Sequence, residues 1–203
     1  MRILAGRFKG RRLKFSKERL LRPTTGLVRK ALFDILKEKM PGSSFLDLYA
    51  GTGAVGLEAL SRGAQRVVLA ENEPKAVIWL AENVKLLREA ARKEGNEISE
   101  QDLSYHCQSV EKALGLLSRK GWKFDVIFAD PPYSFGRQKI TKLISQILNL
   151  EILKPDGVIV LQHRTGMEKG IDFPKEINGF SLIVETRRYG STSLTFFYCH
   201  PSL

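Results

Sequence analysis

The run Asp47-Leu48-Tyr49-Ala50-Gly51-Thr52-Gly53-Ala54-Val55-Gly56 links an apolar, strand-like segment at residues 45–49 to a helical pattern at residues 55–61. Its three glycines match the G-x-G-x-x-G turn that binds nucleotide cofactors, in which glycine lets the backbone approach the ligand closely. Three interpretations fit this turn. It is an NAD site, an S-adenosylmethionine site, or a turn that only packs a helix on a strand, with Asp47 as its cap.

Asp47 favours the methyl donor over the dinucleotide. The pyrophosphate of a dinucleotide lies at the N-terminus of the following helix, where a nearby carboxylate would repel it. S-adenosylmethionine carries a positive sulfonium and a positive α-ammonium, so an acid at the end of the strand attracts it. Glu71 ends the next strand, about twenty residues after the first glycine, where an acid meets ribose hydroxyls. The predicted cofactor-binding residues are Asp47, Ala50, Gly51, Gly53, Gly56, Glu71, Asn72, Gln108 and Ser109, the last two placed near adenine.

A second motif, Asp130-Pro131-Pro132-Tyr133, follows an apolar segment at residues 124–129 that predicts a buried fourth strand. Asp130 would then emerge at the carboxyl end of that strand, beside the crevice where open α/β sheets bind ligands. The exocyclic amine of a nucleobase is a poor nucleophile, because its lone pair is delocalised into the ring. The Asp130 carboxylate and the Pro131 carbonyl can accept its two N–H groups, which directs the lone pair at the methyl group.

Tyr133 can stack on the flipped base, and the two prolines make this corner rigid. The predicted catalytic residues are Asp130, Pro131, Pro132 and Tyr133. The alternative is a strand terminator with a surface tyrosine, which the preceding glycine turn disfavours.

Strand-like and helical segments alternate through the middle of the chain, which predicts an α/β fold with a parallel sheet and right-handed crossovers. The predicted strands are residues 45–49, 67–70, 103–107, 124–129 and 158–162, and the predicted helices are residues 55–61, 76–92, 110–119 and 138–150. Residues 180–187 and 193–198 predict a closing antiparallel hairpin. Near the start, residues 6–10 predict a hairpin turn, and Thr24 or Thr25 caps a helix. A domain boundary is predicted near Pro41, between a basic extension (residues 1–40) and a catalytic domain (residues 41–203).

The net charge of +11 is concentrated at the start of the chain. Residues 1–30 contain eleven lysines and arginines and one acid, Glu18, a net of +10. Such a segment is typical of nucleic acid binding, because each neutralised phosphate releases counterions. The alternatives are a solvated tail and an organellar transit peptide, and the low serine content disfavours the latter. The predicted RNA-binding residues are Arg7, Lys9, Arg11, Arg12, Arg22, Thr24 and Arg29.

Other features exclude several classes of protein. No run of eighteen apolar residues and no secretory signal occurs, so a cytoplasmic protein without membrane contact is expected. Cys107 and Cys199 lack the spacing of a zinc or redox motif and are expected to be buried free thiols. The three histidines form no ligand cluster, so no metal is expected.

Several segments resemble one protein family. They are Arg22-Pro23-Thr24-Thr25, residues 28–33, residues 47–60, Asp130-Pro131-Pro132-Tyr133 and Tyr189-Gly190-Ser191-Thr192. In these motifs the chain, from Arg2 to Tyr198, is similar to the RsmD family of 16S ribosomal RNA guanine-N2 methyltransferases. The resemblance implies a Rossmann-like class I methyltransferase with a seven-stranded sheet, S-adenosylmethionine as donor, and guanine 966 of the small ribosomal subunit as acceptor. Gln108 departs from the acidic residue common at its position.

Other functions share these motifs. The same chemistry serves DNA adenine or protein glutamine N-methyltransferases, although the asymmetric charge disfavours the glutamine substrate. A protein of another class, an RNA-binding assembly factor with an inactive methyl site, would bind RNA without binding the donor. Nothing in the sequence requires more than a monomer.

Overall fold

A computed structural model describes residues 1–15, 25–168, 176–177 and 180–201. The helices are α1 (Gly26–Ile35), α2 (Ala54–Ser61), α3 (Pro74–Lys93), α4 (Val110–Arg119) and α5 (Arg137–Asn149). The strands are β1 (Ser44–Leu48), β2 (Arg66–Glu71), β3 (Leu103–Cys107), β4 (Phe124–Ala129), β5 (Leu153–Arg164), β6 (Glu176–Ile177), β7 (Phe180–Tyr189) and β8 (Thr192–Pro201). The chain forms two compact units, Met1–Val110 and Glu111–Leu203.

In the first unit, β1, β2 and β3 form parallel ladders in the order β3-β2-β1. Phe45 pairs with Val67, and Val67 pairs with Leu103. All three of these side chains are fully buried. Strands that are covered on both faces need apolar residues at successive positions, which explains the apolar run at residues 67–70 of β2 and leaves the buried Asp47 of β1 as the exception.

The start of the chain folds as a hairpin, as predicted. Arg2 and Arg12 form an isolated antiparallel bridge. The Gly10 N–H donates to the Ile3 carbonyl at 2.9 Å. Gly6 has a φ of +79°, and a Cβ there would lie 1.8 Å from the Ser61 carbonyl oxygen, so only glycine fits at this contact.

The next element, α1, begins where the sequence predicts. Thr25 is the N-cap, and its hydroxyl accepts a hydrogen bond from the Val28 N–H at 3.4 Å. The helix ends at Ile35 and passes into a 3-10 turn, Lys37–Lys39, which the sequence analysis did not predict.

In the second unit, β4 and β5 pair in parallel, and β5, β8 and β7 pair in antiparallel order. β7 and β8 form the predicted closing hairpin, with Gly190 at a φ of +63° in its turn. The strand β6, with two residues, pairs with β7 and was not predicted. β5 begins at Leu153, earlier than predicted, and its register with β4 shifts between the pairs Phe124–Leu153 and Val126–Val158.

The prediction of an α/β fold, with a mostly parallel sheet and a C-terminal antiparallel hairpin, is confirmed. Within the described residues, the helices are too short or too polar to cross a bilayer. The same residues contain no group of three or more histidine, cysteine, aspartate or glutamate side chains that could hold a metal ion. Cys199 is buried, and burial raises the pKa of its thiol. The prediction for Cys107 is wrong, because this residue lies exposed at the end of β3.

Candidate functional site

The glycine loop, residues 49–53, joins β1 to α2 through a series of left-handed backbone conformations. Tyr49, Gly51 and Gly53 have φ values of +61°, +57° and +79°. The Gly53 N–H donates to the Ala50 carbonyl at 2.8 Å, which closes the turn. The Ala50 N–H donates to the Ala70 carbonyl at 3.0 Å and fixes the loop to the end of β2.

The three glycines of the motif serve different purposes. A Cβ on Gly56 would lie 2.2 Å from Leu69 Cδ2, so this glycine lets α2 pack closely on β2. A Cβ on Gly53 would lie 2.6 Å from Leu80 Cδ1 of α3. A Cβ on Gly51 meets no described atom within 4 Å, so the loop is open to a ligand at this position.

Asp47 lies beneath the glycine loop and is 1% exposed. Its Oδ2 accepts the Gly56 N–H at 2.8 Å, in the first turn of α2. The capping role considered in the sequence analysis is therefore present. The carboxylate also places a negative charge at this helix N-terminus, and its attraction for a cationic ligand stays a prediction.

Glu71 ends β2 and fixes the other side of the glycine loop. Its Oε2 accepts the Gly51 N–H at 2.7 Å, and its Oε1 accepts the N–H groups of Asn72 and Glu73 at 2.7 and 2.8 Å. Each carboxylate oxygen has two lone pairs, so Oε2 can accept another hydrogen bond. Contact of Glu71 with ribose hydroxyls is compatible with this geometry and stays a prediction.

Gln108 and Ser109 follow β3, where an adenine contact was predicted. The Gln108 Nε2 is buried and has no hydrogen-bond partner among the described residues. A buried donor without a partner costs roughly 1–3 kcal/mol, and an acceptor on a ligand would satisfy it. Contact of Gln108 and Ser109 with adenine stays a prediction.

Asn83 of α3, which the sequence analysis missed, supports the glycine loop from behind. It is fully buried, and its Nδ2 donates to the carbonyls of Thr52 and Lys14, both at 2.9 Å. Its Oδ1 accepts the Lys14 N–H at 2.7 Å. Asn83 thus joins the loop to the N-terminal segment, residues 1–15. An asparagine in a helical pattern gives no local signal of such partners.

In the second unit, Asp130 follows directly after β4 and is half-buried. Gln162 of β5 donates from Nε2 to Asp130 Oδ2 at 2.7 Å. Gln162 is 4% exposed, and its Oε1 is buried without a partner in the described structure. An ionised carboxylate only accepts hydrogen bonds, so the amide must present its nitrogen to Asp130. No local sequence pattern indicates this role for Gln162.

The rest of the proline corner, Asp130-Pro131-Pro132-Tyr133, also has a defined shape. Pro131 is buried and Pro132 is exposed. The Pro132 carbonyl accepts the Phe135 N–H at 2.8 Å, which closes a turn after the motif. Tyr133 is 45% exposed, so its ring is available for stacking.

Four of the predicted RNA-binding side chains, those of Arg7, Lys9, Arg11 and Arg12, are exposed on the N-terminal segment. Arg7 and Arg11 both bind the exposed Glu94, at 3.1 and 3.0 Å. Their hydrogen bonds hold the pKa of the Glu94 carboxyl below its usual value. Arg22 and Thr24 lie outside the described residues.

Arg29 requires a correction. It is 1% exposed, its Nε lies 3.8 Å from the buried carboxylate of Glu58, and its guanidinium donates to the Arg2 carbonyl. Burial lowers the pKa of this guanidinium, and the charge of Glu58 opposes that shift. Arg29 therefore stabilises the packing of α1 and the N-terminal segment on α2, and it is not a surface contact for phosphate.

Comparisons with known proteins agree with this fold. The family model described as Conserved hypothetical protein 95 matches residues 1–198. The Ribosomal RNA small subunit methyltransferase D of Buchnera aphidicola subsp. Acyrthosiphon pisum is 33% identical over 162 residues, 79% of this chain and 76% of that protein. The structure of hypothetical protein TTHA0928 of Thermus thermophilus aligns with a TM-score of 0.72 and 33% identity, over 97% of this chain and 98% of that one. The structure of SMU.776 complexed with SAH aligns with a TM-score of 0.65 and 15% identity, over 86% of this chain and 50% of that one.

Proposed function

We propose that this chain methylates the exocyclic N2 amine of a guanine in 16S ribosomal RNA. The chain belongs to the Conserved hypothetical protein 95 family, which is the RsmD family. S-adenosylmethionine is the methyl donor. By resemblance the target is guanine 966 in the small ribosomal subunit, and the protein acts as a monomer in the cytoplasm. The observation that carries this proposal is the proline corner, in which a buried amide holds the carboxylate of Asp130 at the end of a strand.

The residues of the first unit fit the donor. When bound, S-adenosylmethionine supplies a methyl group activated by its positive sulfonium. The open backbone at Gly51, the charge of Asp47 and the unpartnered Nε2 of Gln108 offer shape, electrostatic attraction and a hydrogen-bond donor. The SAH complex of SMU.776 supports this assignment for the same fold.

The residues of the proline corner act on the acceptor. The Asp130 carboxylate and the Pro131 carbonyl accept the two N–H groups of the amine, which localises the nitrogen lone pair. Prolines present no N–H groups that would compete for these acceptors. Tyr133 stacks on the flipped base, an interaction of roughly 1–3 kcal/mol in nucleic acid complexes. Solvent removes the proton after transfer, or Asp130 assists.

The proposed RNA-binding extension is residues 1–40, and within it the N-terminal segment presents the exposed cations. Its ion pairs with Glu94 are exposed and screened by solvent, so phosphate groups of RNA can replace that carboxylate. We propose that Arg7, Lys9, Arg11 and Arg12 bind the RNA backbone. Arg22 and Thr24 remain in the proposal on the resemblance alone.

The test is to identify the methylated nucleotide. Small subunits from cells that lack this protein are incubated with the purified chain and radiolabelled S-adenosylmethionine, and the RNA is then digested and mapped. We expect label in N2-methylguanosine at one site. A parallel reaction contains DNA in place of the subunits, and label in DNA adenine or in a glutamine of the ribosomal proteins would transfer the chemistry to another substrate. RNA binding without donor binding would identify an assembly factor.

A further inference from the structure

The N-terminal segment is attached to α2, the helix that follows the glycine loop. The N–H groups of Leu4 and Ala5 donate to the two carboxylate oxygens of Glu58, at 2.7 and 3.0 Å. The Phe8 N–H donates to the Ser61 hydroxyl at 2.9 Å, and that hydroxyl donates to the Ala5 carbonyl at 2.6 Å. The backbone that is attached to α2, residues 4–8, therefore lies next in the chain to the exposed side chains of Lys9 and Arg11.

The segment is also attached to the glycine loop itself, through Asn83. Both N–H groups of this amide are used, one on Thr52 of the loop and one on Lys14 of the segment, and its oxygen accepts the Lys14 N–H. Leu80 lies one turn earlier on α3 and packs against Gly53, where a Cβ would lie 2.6 Å from it. One face of α3 thus supports the loop with a hydrogen bond and a close apolar contact.

Asn83 is fully buried, so water cannot replace these bonds. If Lys14 moves, the amide must either follow it or leave a buried polar group without a partner, which costs roughly 1–3 kcal/mol. A ligand that orders the segment therefore also orders the loop. Two ligands that both order Asn83 and its hydrogen bonds strengthen each other's binding, and each raises the affinity for the other by the same factor.

We propose that Asn83 is a positioning residue that couples RNA binding on the N-terminal segment to donor binding at the glycine loop. This inference rests on the proposed function. RNA engagement strengthens donor binding, and donor engagement strengthens RNA binding by the same factor. The enzyme thereby holds its donor most tightly when the acceptor RNA is present.

The test measures the affinity for S-adenosylhomocysteine by calorimetry, with and without a saturating 16S rRNA transcript. We expect the wild-type chain to bind this compound on the order of tenfold more tightly when RNA is present. Lys14→Pro removes the N–H that Asn83 accepts, and Lys14→Ala keeps that N–H. Both variants lose the Lys14–Glu82 ion pair, so they form a matched pair. We expect the ratio of affinities to fall to about one in Lys14→Pro and to stay at the wild-type value in Lys14→Ala.

If Lys14→Pro does not fold, Asn83→Asp serves as a second variant, because it keeps the acceptor for the Lys14 N–H and loses the donors to the carbonyls of Thr52 and Lys14. Its ratio is also expected to fall to about one, with a thermal midpoint measured to show that it is folded. An equal affinity with and without RNA in the wild-type chain, or a wild-type ratio in either test variant, would overturn the coupling. A wild-type chain that does not bind S-adenosylhomocysteine at all would instead overturn the proposed function.

Discussion

Gly56 determines how closely α2 packs on β2. A Cβ there would lie 2.2 Å from Leu69 Cδ2 and 3.3 Å from the Cβ of Asp47, so alanine must displace the helix or the strand. We expect Gly56→Ala to lower the free energy of unfolding by roughly 1–3 kcal/mol. It should also weaken binding of S-adenosylhomocysteine, because α2 begins at the end of the glycine loop. Urea denaturation and calorimetry measure the two effects.

The matched control is Gly115→Ala in α4. A Cβ at Gly115 meets only the flexible end of Arg119 at 3.5 Å, and alanine favours helix by about 1 kcal/mol over glycine. This variant should be as stable as the wild type or more stable, with unchanged donor affinity. Equal destabilisation by both variants would mean that close packing at Gly56 is unimportant.

In the proposed mechanism, Asp130 accepts a hydrogen bond from the amine of the substrate and Gln162 orients Asp130. Asp130→Ala removes an acceptor for the amine, so we expect the methyl-transfer rate to fall on the order of 10²–10³-fold. Gln162→Met removes only the hydrogen bond that orients Asp130, and we expect a smaller loss, about tenfold. Single-turnover assays with labelled donor measure both rates. A parallel loss of affinity for S-adenosylhomocysteine in either variant would show that the acceptor role is misassigned.

The attachment of the N-terminal segment to α2 depends on one buried carboxylate. Glu58 accepts two backbone N–H groups of the segment, binds Arg62 Nε at 2.8 Å and lies beside the buried Arg29. We expect Glu58→Gln to destabilise the protein by about 3–5 kcal/mol, because it leaves Arg29 buried without a counter-charge. The denaturant midpoint measures this loss. Glu94→Gln, which breaks only exposed ion pairs, should shift the midpoint far less than Glu58→Gln does, and a similar shift in both variants would contradict this account.

The contact between the N-terminal segment and the end of α3 depends on pH. Hydrogen bonds from Arg7 and Arg11 lower the pKa of Glu94 in the folded protein. The stabilisation is therefore complete above the pKa of the unfolded chain and is lost as the pH falls through the lower, folded pKa. We expect Arg7→Gln with Arg11→Gln to raise the Glu94 pKa toward its ordinary value. Carboxyl NMR titration of both proteins measures this pKa, and an identical value in the two would refute the assignment.

Local sequence patterns predicted most helices and strands, because periodicity, turn residues and caps act over a few positions. Thr25 and the strands around Asp47 and Asp130 are examples. Side-chain partners distant in the chain could not be predicted in this way. Asn83 and Lys14 are 69 residues apart. Arg29 was predicted to be a surface cation because its partner Glu58 is also distant in the chain.

For the molecule as a whole, the charge distribution predicts how RNA binding responds to salt. Almost all of the net charge of +11 lies in residues 1–30. Neutralising Arg7, Arg11 and Arg12 with glutamine should weaken RNA binding and reduce the slope of log K against log salt by about 2–3. Filter binding across a salt series measures this slope. An unchanged slope would place the RNA contacts elsewhere on the protein.

The bond between Asn83 and Thr52 has a consequence for biosynthesis. During translation, the residues of the glycine loop leave the ribosome before Asn83 does, so the loop lacks its buried support for as long as about thirty further codons are being read. A nascent chain cannot hold the cofactor in its final geometry until α3 has been made. The glycine loop therefore reaches its final geometry only after α3 has folded against the first residues of the chain.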